Sequence, residues 1–231
     1  MANLDFNDLF EQYYTLYRAE ADVPNSSEEE YTIAQVLSKE AINRWSHYDA
    51  TYWKELFVNS LDATDGVTVL ATGVSTYACP TNMKEAGGYV RIRDSVTNQI
   101  QTSFPIIEPQ EAQFKADNTK YCYFTGNPSM GFTLHISTEV GAQDNGNLIE
   151  YIYYKKPTYF TNGASFTEMG DPFFIVHRML ANRFRASRNP YYNSAKQDAE
   201  DALRTMQADN NSGTWANPWS LADTSGTEWG R

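Results

Sequence analysis

Three histidines, two cysteines and 29 carboxylates are the groups in this 231-residue chain that could move a proton, attack a carbonyl or hold a metal. His47, His135 and His177 fall in three different segments, and no two of them have the spacing of metal ligands. Cys79 and Cys122 lie far apart, form no C-x-x-C, and have no histidine beside them in sequence. The chain contains no G-x-S-x-G, no P-loop and no G-x-G-x-x-G. The histidines therefore read as ordinary, partly buried side chains. The cysteines read as free thiols or at most one pair, a usage suited to a reducing cytoplasm. Among catalytic readings, a carboxylate-pair hydrolase on a β-rich domain stays open. The expectation is that the chain is not an enzyme and needs no cofactor or metal.

Charge excludes other classes. The net charge is −11, and residues 1–62 carry 12 acidic against 4 basic side chains. Such a balance works against tight nucleic-acid binding, which needs phosphates neutralised by Lys and Arg. It works equally against an anionic membrane surface. Neither a signal peptide nor a transmembrane run is read, so synthesis and folding in a cytoplasm are expected.

Two features point toward protein partners. Arg178, Arg183, Arg185 and Arg188 cluster within eleven residues of a chain that is otherwise acidic. On a helix Arg178 and Arg185 lie within about 20° of each other, facing away from Phe173, Val176, Leu180 and Phe184. Arg188 turns about 60° further, toward the flank of that face, and Arg183 falls on the other flank. The arginines could be a solvated face, could pair with the acidic N-terminal helices, or could dock on an acidic partner or neighbouring subunit. The second feature is the tail, residues 210–231, which holds Trp215, Trp219 and Trp229 in an Asn-, Ser-, Thr- and Gly-rich context. Burying three tryptophans gives about 15 kcal/mol gross. Ordering 22 residues costs about 33 kcal/mol. The tail is thus expected to order in a preformed groove on a partner, with backbone hydrogen bonds added; the alternative is that it folds back onto its own domain.

The elements that position these groups are read from period and punctuation. Asn3 or Asp5 can cap a first helix with Phe6, Leu9, Phe10, Tyr13 and Leu16 on one face. Ser27 and Glu30 have capping-box spacing. From there Ile33, Val36, Leu37, Ala41, Trp45, Tyr48, Tyr52 and Leu56 form a stripe, on one long helix or on two broken near Ser46–Asp49. After Asp65-Gly66 the period changes. Val67–Ala71, Tyr89–Arg93, Tyr121–Phe124, Phe132–Ile136 and Ile149–Tyr154 are strand candidates. Gly87-Gly88, Gly126-Asn127-Pro128 and Asp144-Asn145-Gly146-Asn147 are expected turns. Asp171-Pro172 opens a helix, Asn189-Pro190 breaks it, and Ala195, Ala199, Ala202 and Met206 face inward on the next, which ends at Asn210–Gly213.

The fold class expected is α+β. Helical N- and C-terminal segments (1–62 and 161–209) pack together, an antiparallel β-sandwich or small barrel (63–160) is inserted between them, and residues 210–231 form an extended arm.

This layout carries a family resemblance. Asn43-Arg44-Trp45 and Tyr52-Trp53-Lys54-Glu55-Leu56 close the first helical part. Tyr77-Ala78-Cys79-Pro80-Thr81-Asn82-Met83 forms a turn inside the β insertion, and Ile149-Glu150-Tyr151-Ile152-Tyr153-Tyr154-Lys155-Lys156-Pro157 ends it. A capped helical pair follows from Asp171-Pro172. Over residues 4–209 the order of parts resembles the head-to-tail adaptor (head-completion, or tail tubular connector) proteins of tailed bacteriophages. The resemblance implies a structural virion protein of the neck. It would form a homo-oligomeric ring of about twelve copies below the portal protein, above a nozzle or tail-tube protein, with DNA passing through unbound. It carries over no catalytic residue. In that setting Arg178, Arg185, Arg188 and the three tail tryptophans are the candidate partner-binding residues. The rival expectations are another neck, tail-completion or minor capsid protein, and a carbohydrate-binding or hydrolytic β-module.

Overall fold

A computed structural model describes residues 4–18, 24–63, 65–116, 119–137 and 141–212. It has an α+β fold of two compact units, residues up to Leu56 together with those from Pro157, and Phe57–Lys156. These boundaries fall a few residues before those expected from the change of period. Residues 210–212 of the expected arm belong to the last helix, and the rest of it, with Trp215, Trp219 and Trp229, lies outside the described residues.

The first unit is helical. Helix α1 (Phe6–Arg18) buries Phe6, Leu9, Phe10, Tyr13 and Tyr14. Its start is a reciprocal cap: Asp8 N–H donates to Asp5 Oδ1 (3.0 Å), and Asp5 N–H donates to Asp8 Oδ2 (3.2 Å). The capping box expected at Ser27 and Glu30 does not form. Helix α2 (Glu29–Ser46) has Glu28 as its cap residue, without a side-chain cap bond. Ser27 donates to Asn25 instead, and Glu30 is drawn to an arginine on another helix. The buried stripe of α2 is Tyr31, Ala34, Ser38, Ala41, Ile42 and Trp45. Ala41 and Trp45 match expectation, whereas Val36 is exposed. The helix ends at Ser46, and Asp49 and Ala50 then take positive φ (46° and 51°), a sharp break. Trp53 Nε1 donates to Trp45 O (2.7 Å), which fastens the segment after the break.

Helices α3 (Phe173–Ala186) and α4 (Tyr192–Ser212) complete this unit. Asp171 Oδ1 accepts from Phe173 N–H (3.0 Å), so the Asp-Pro signal marks a real start. Helix α3 buries Phe174, Ile175, Val176, Met179, Leu180, Ala181 and Phe184. Helix α4 turns Ala195, Ala199, Leu203 and Met206 inward. Asn210, buried near its end, donates to Tyr52 O (3.0 Å) and accepts from Lys54 N–H (3.0 Å). That tie secures the last turn, and the helix stops at Ser212, within the expected Asn210–Gly213.

The second unit is antiparallel β. Strands β1 (Phe57–Asn59), β7 (Leu148–Lys155), β3 (Met83–Arg93) and β4 (Ile100–Pro105) form one sheet in that order. Strands β2 (Thr76–Ala78), β6 (Gly131–Ile136) and β5 (Cys122–Asn127) form the other. Both sheets contribute to one core: Met83, Val90, Ile92, Phe104, Ile149, Tyr151 and Tyr153 from the first, and Tyr77, Cys122, Leu134 and Ile136 from the second. An isolated parallel bridge, Ile106 to Cys122, joins the chain after β4 to β5. Val67–Ala71 makes only an isolated bridge, Val69 to Leu148. Gly87-Gly88 is no turn. Gly87 pairs with Ile152 and Arg91 with Glu150, so β3 carries extra residues there, with Gly88 at φ +75°. Glycine with positive φ serves a bulge as readily as a turn.

Two variants probe this unit. A Cβ at Gly126 (φ +108°) would lie 2.1 Å from Gly131 O across the β5–β6 hairpin. We expect Gly126→Ala to destabilise the fold by about 3 kcal/mol in urea unfolding; an unchanged midpoint would refute the hairpin geometry. Acid should also weaken the unit. Burial would raise the Glu150 carboxyl, but hydrogen bonds from Asn59 and Arg93 and the guanidinium charges hold it below its ordinary 4.5. The Thr81 backbone and side-chain hydrogen bonds hold Asp65 below 3.8. A folded value below the unfolded one means stabilisation present above the unfolded value and lost as pH falls through the folded one. The melting temperature should therefore fall on acidification from about pH 5 to about pH 3. Glu150→Gln should melt lower at neutral pH and show a smaller acid loss.

Candidate partner-binding surfaces

The four clustered arginines, three on α3 and Arg188 just past its end, divide into a structural pair and an exposed pair. Arg178 is half-buried rather than outward: its guanidinium lies 4.0 Å from Glu200 on α4, which also meets Arg44 of α2 at 3.5 Å. The inward-facing alanines Ala195 and Ala199 let α4 come close, and α4 then covers the α3 face that a lone helix would present to water. Arg183 reaches Glu30 at 2.5 Å and lies over the Tyr17 ring at 5.3 Å. Arg18 joins the same group, 3.8 Å from Glu30 and 5.0 Å over Tyr17. The Tyr13 hydroxyl beside it is pushed above the ordinary tyrosine range, chiefly by burial. This cluster ties α1, α2 and α3 together.

Arg185 and Arg188 are exposed, and neither makes an ion pair among the described residues. Arg188 does not turn toward the core flank as expected. It sits just past the end of α3 with φ +55°. Asn189 N–H donates to Phe184 O (2.9 Å) and Arg188 N–H to Arg185 O (3.3 Å), the paired bonds of a Schellman ending. That position favours glycine, because a Cβ there costs about 1–2 kcal/mol. Tyr191 follows, 68% exposed, with its ring 6.5 Å from that of Phe184. The turn between α3 and α4 thus presents two unpaired cations and a largely exposed tyrosine.

At the other end of α3 lies a groove that sequence reasoning missed. Leu16 (59% exposed) and Phe173 (43% exposed) were both expected in the core. Instead they help to line a cavity of about 570 Å³ between α1 and α3, together with Val176, Asp8 and Glu11. Leu16 lies at the margin of the buried α1 stripe, near the end of the helix. Phe173 is the first residue of α3, where no further turn covers it. The one available signal was Asp8 and Glu11 standing on the polar side of the same short helix.

The β unit has its own outward face. Tyr123 and His135 stack at 4.6 Å with 5° between planes, Tyr121 stacks on Tyr123 at 6.5 Å, and His135 Nε2 lies 2.8 Å from Thr125 Oγ1. Both cysteines are free. Burial pushes the Cys79 thiol up to about 11 and the Cys122 thiol up to about 12, which leaves little thiolate at neutral pH. Among the described residues, no three His, Cys, Asp or Glu side chains come together as a metal site. No helix there is long and apolar enough to cross a membrane.

No family model matches the chain, and no curated protein matches it.

The backbone at Arg188 makes a direct prediction. Arg188→Gly should raise stability by about 0.5–1 kcal/mol, because glycine takes positive φ without a steric penalty but loses more entropy on folding. Thermal melts of the two chains check this, and a lower midpoint for the glycine chain would refute the αL assignment.

Proposed function

We propose that this chain is a structural virion protein of the neck, a head-to-tail adaptor of a tailed bacteriophage. Copies form a ring below the portal protein, join it to a nozzle or tail-tube protein, and extend the channel through which DNA leaves. The observation that carries the reading is the order of parts. A helical unit runs to Leu56, a β unit interrupts it over Phe57–Lys156, and the helical unit resumes at Pro157 with a capped pair of helices. This is the layout on which the resemblance to the adaptor family rests.

Charge and surface chemistry agree with it. A net charge of −11 repels the DNA backbone, so DNA slides past instead of sticking. A ring requires two unlike patches on each subunit that close on one another. The segment after Ser212 carries three tryptophans, which suits an arm seated in a groove on the portal. The rival reading as a glycan-binding module has less support. Tyr123 and His135 stack on each other, so each ring already covers a face that a sugar would need.

The test is the mass of the purified chain alone and with a portal ring of the same virus. The expected result is a complex heavier than the portal ring by a whole number of chains, close to one per portal subunit. Removing residues 213–231, which leaves α4 intact to Ser212, should weaken attachment at least tenfold while the truncated chain melts as before. A full-length chain that leaves the portal ring's mass unchanged would reject the adaptor. Attachment of equal strength after truncation would reject the arm.

A further inference from the structure

We infer that the groove between α1 and α3 receives the α3–α4 turn of a second copy of this chain, so that copies associate head to tail. The two surfaces have complementary chemistry. The groove is lined by the exposed apolar side chains Leu16 and Phe173 and by the carboxylates Asp8 and Glu11, with His177 also in its lining. The turn offers an exposed aromatic ring, Tyr191, beside the cations Arg185 and Arg188. A cavity of about 570 Å³ accommodates a tyrosine ring with room for part of its flanking turn. Neither Glu11 nor the two arginines has an ion-pair partner among the described residues, so the charges are available on both sides.

Backbone geometry adds a separate argument. Arg188 occupies the αL position that ends α3, where glycine would be easier to accommodate. A charged side chain held in a disfavoured conformation at an exposed turn marks a place where the side chain is used. Phe173 and Arg185 are twelve residues apart on one helix, a rise of about 18 Å. That distance keeps the Phe173 end of a chain's groove out of reach of its own turn. Seated in another copy's groove, the turn makes a contact between unlike patches, which repeats into a ring or an open chain of subunits.

The contact rests on the self-associating ring proposed above, and its test is chosen to fail separately. A chain carrying Phe173→Cys and Tyr191→Cys, both at exposed positions and too far apart to bridge within one chain, is held at high concentration and low salt, oxidised, and run without reductant. The wild-type chain, which keeps Cys79 and Cys122, is the blank. The expected result is a ladder of covalently linked copies absent from the blank. Adding Arg185→Glu and Arg188→Glu should slow its formation about tenfold, as should raising the salt so that the Debye length shortens. Adding Glu11→Arg alone should do the same. Mixing the Glu11→Arg chain with the double-glutamate chain should restore the ladder, because each then presents charge opposite to the other's.

No ladder from a chain with an unchanged melting temperature overturns the proposal. So does a ladder indifferent to the charge changes. A ladder that appears only after truncation at Ser212 also overturns it, by assigning the groove to the chain's own C-terminal segment. Laddering without attachment to a portal ring would keep this contact and remove the adaptor. Attachment without laddering would keep the adaptor and remove this contact.

Discussion

The helical unit of this protein is built from two stretches of chain separated by a hundred residues, and the pairing of β1 with β7 is what makes that possible. Phe57 lies opposite Tyr154 and Asn59 opposite Ile152, so the chain leaves and re-enters the helical unit on adjacent strands, roughly 5 Å apart. Bringing the ends of a flexible loop of that length together would cost about 4 kcal/mol. Here the β unit meets that cost within its own fold. Phe57 packs edge-on against Tyr154 at 5.1 Å, and Ser60 Oγ donates to Ile149 O while accepting from Tyr151 N–H. The short strand β1 is thereby fixed to the most buried strand of the sheet. Once the two crossing points are side by side, α3 can find α1 and α2 as if the insertion were a turn.

What α3 then does with its arginines follows from its neighbours. Arg183 is enclosed by Glu30, Tyr17 and Arg18, and Arg178 by Glu200 beside Arg44. Each group places two cations around one carboxylate, so each keeps a residual positive charge, and in the first the second Glu30 oxygen is buried without a hydrogen-bond partner. A buried or half-buried ion pair of this kind adds little net stability against an apolar replacement, while loss of one partner is costly. Its consequence is specificity: the arginines match α3 to the acidic helices rather than to any apolar surface of similar size. Arg185 and Arg188 lie beyond the reach of those acids, past the last turn that α1 and α2 cover, and they remain available.

Much of the fold was legible because its signals are local. Asp171-Pro172 opens α3 through a cap that involves only residues beside it, and Asn189-Pro190 marks the break between α3 and α4. Phe132–Ile136 and Ile149–Tyr154 read as strands from their β-branched and aromatic residues, and the second is buried on both faces. The elements that were missed depend on partners. Phe57–Asn59, Thr76–Ala78 and Ile100–Pro105 are short or edge strands whose composition is unremarkable, and it is pairing that makes them strands. Val67–Ala71 has the composition of a strand but a single bridging partner. At the candidate surfaces the same division holds. The cluster of arginines was visible, but the burial of Arg178 depends on Glu200, and the exposure of Leu16 and Phe173 depends on what does not cover them. The αL turn at Arg188 was hidden because the residue that normally signals it is glycine.

The distribution of charge bears on the kind of assembly this surface can form. An isologous contact sets a patch against its own copy, so a patch of one sign meets its like. The groove with Asp8 and Glu11 would bring carboxylates together in that arrangement, and the turn with Arg185 and Arg188 would bring guanidiniums together; each is disfavoured at close range. Setting one patch against the other removes both repulsions and places Tyr191 against Leu16 and Phe173, the apolar groups each surface leaves uncovered. Both patches are carried on the same unit, fixed by the packing of α1 on α3 and by the Schellman ending of α3. The angle between successive copies would then be set by that rigid framework rather than by a flexible linker, which is the condition for a head-to-tail contact to close into a ring of definite size.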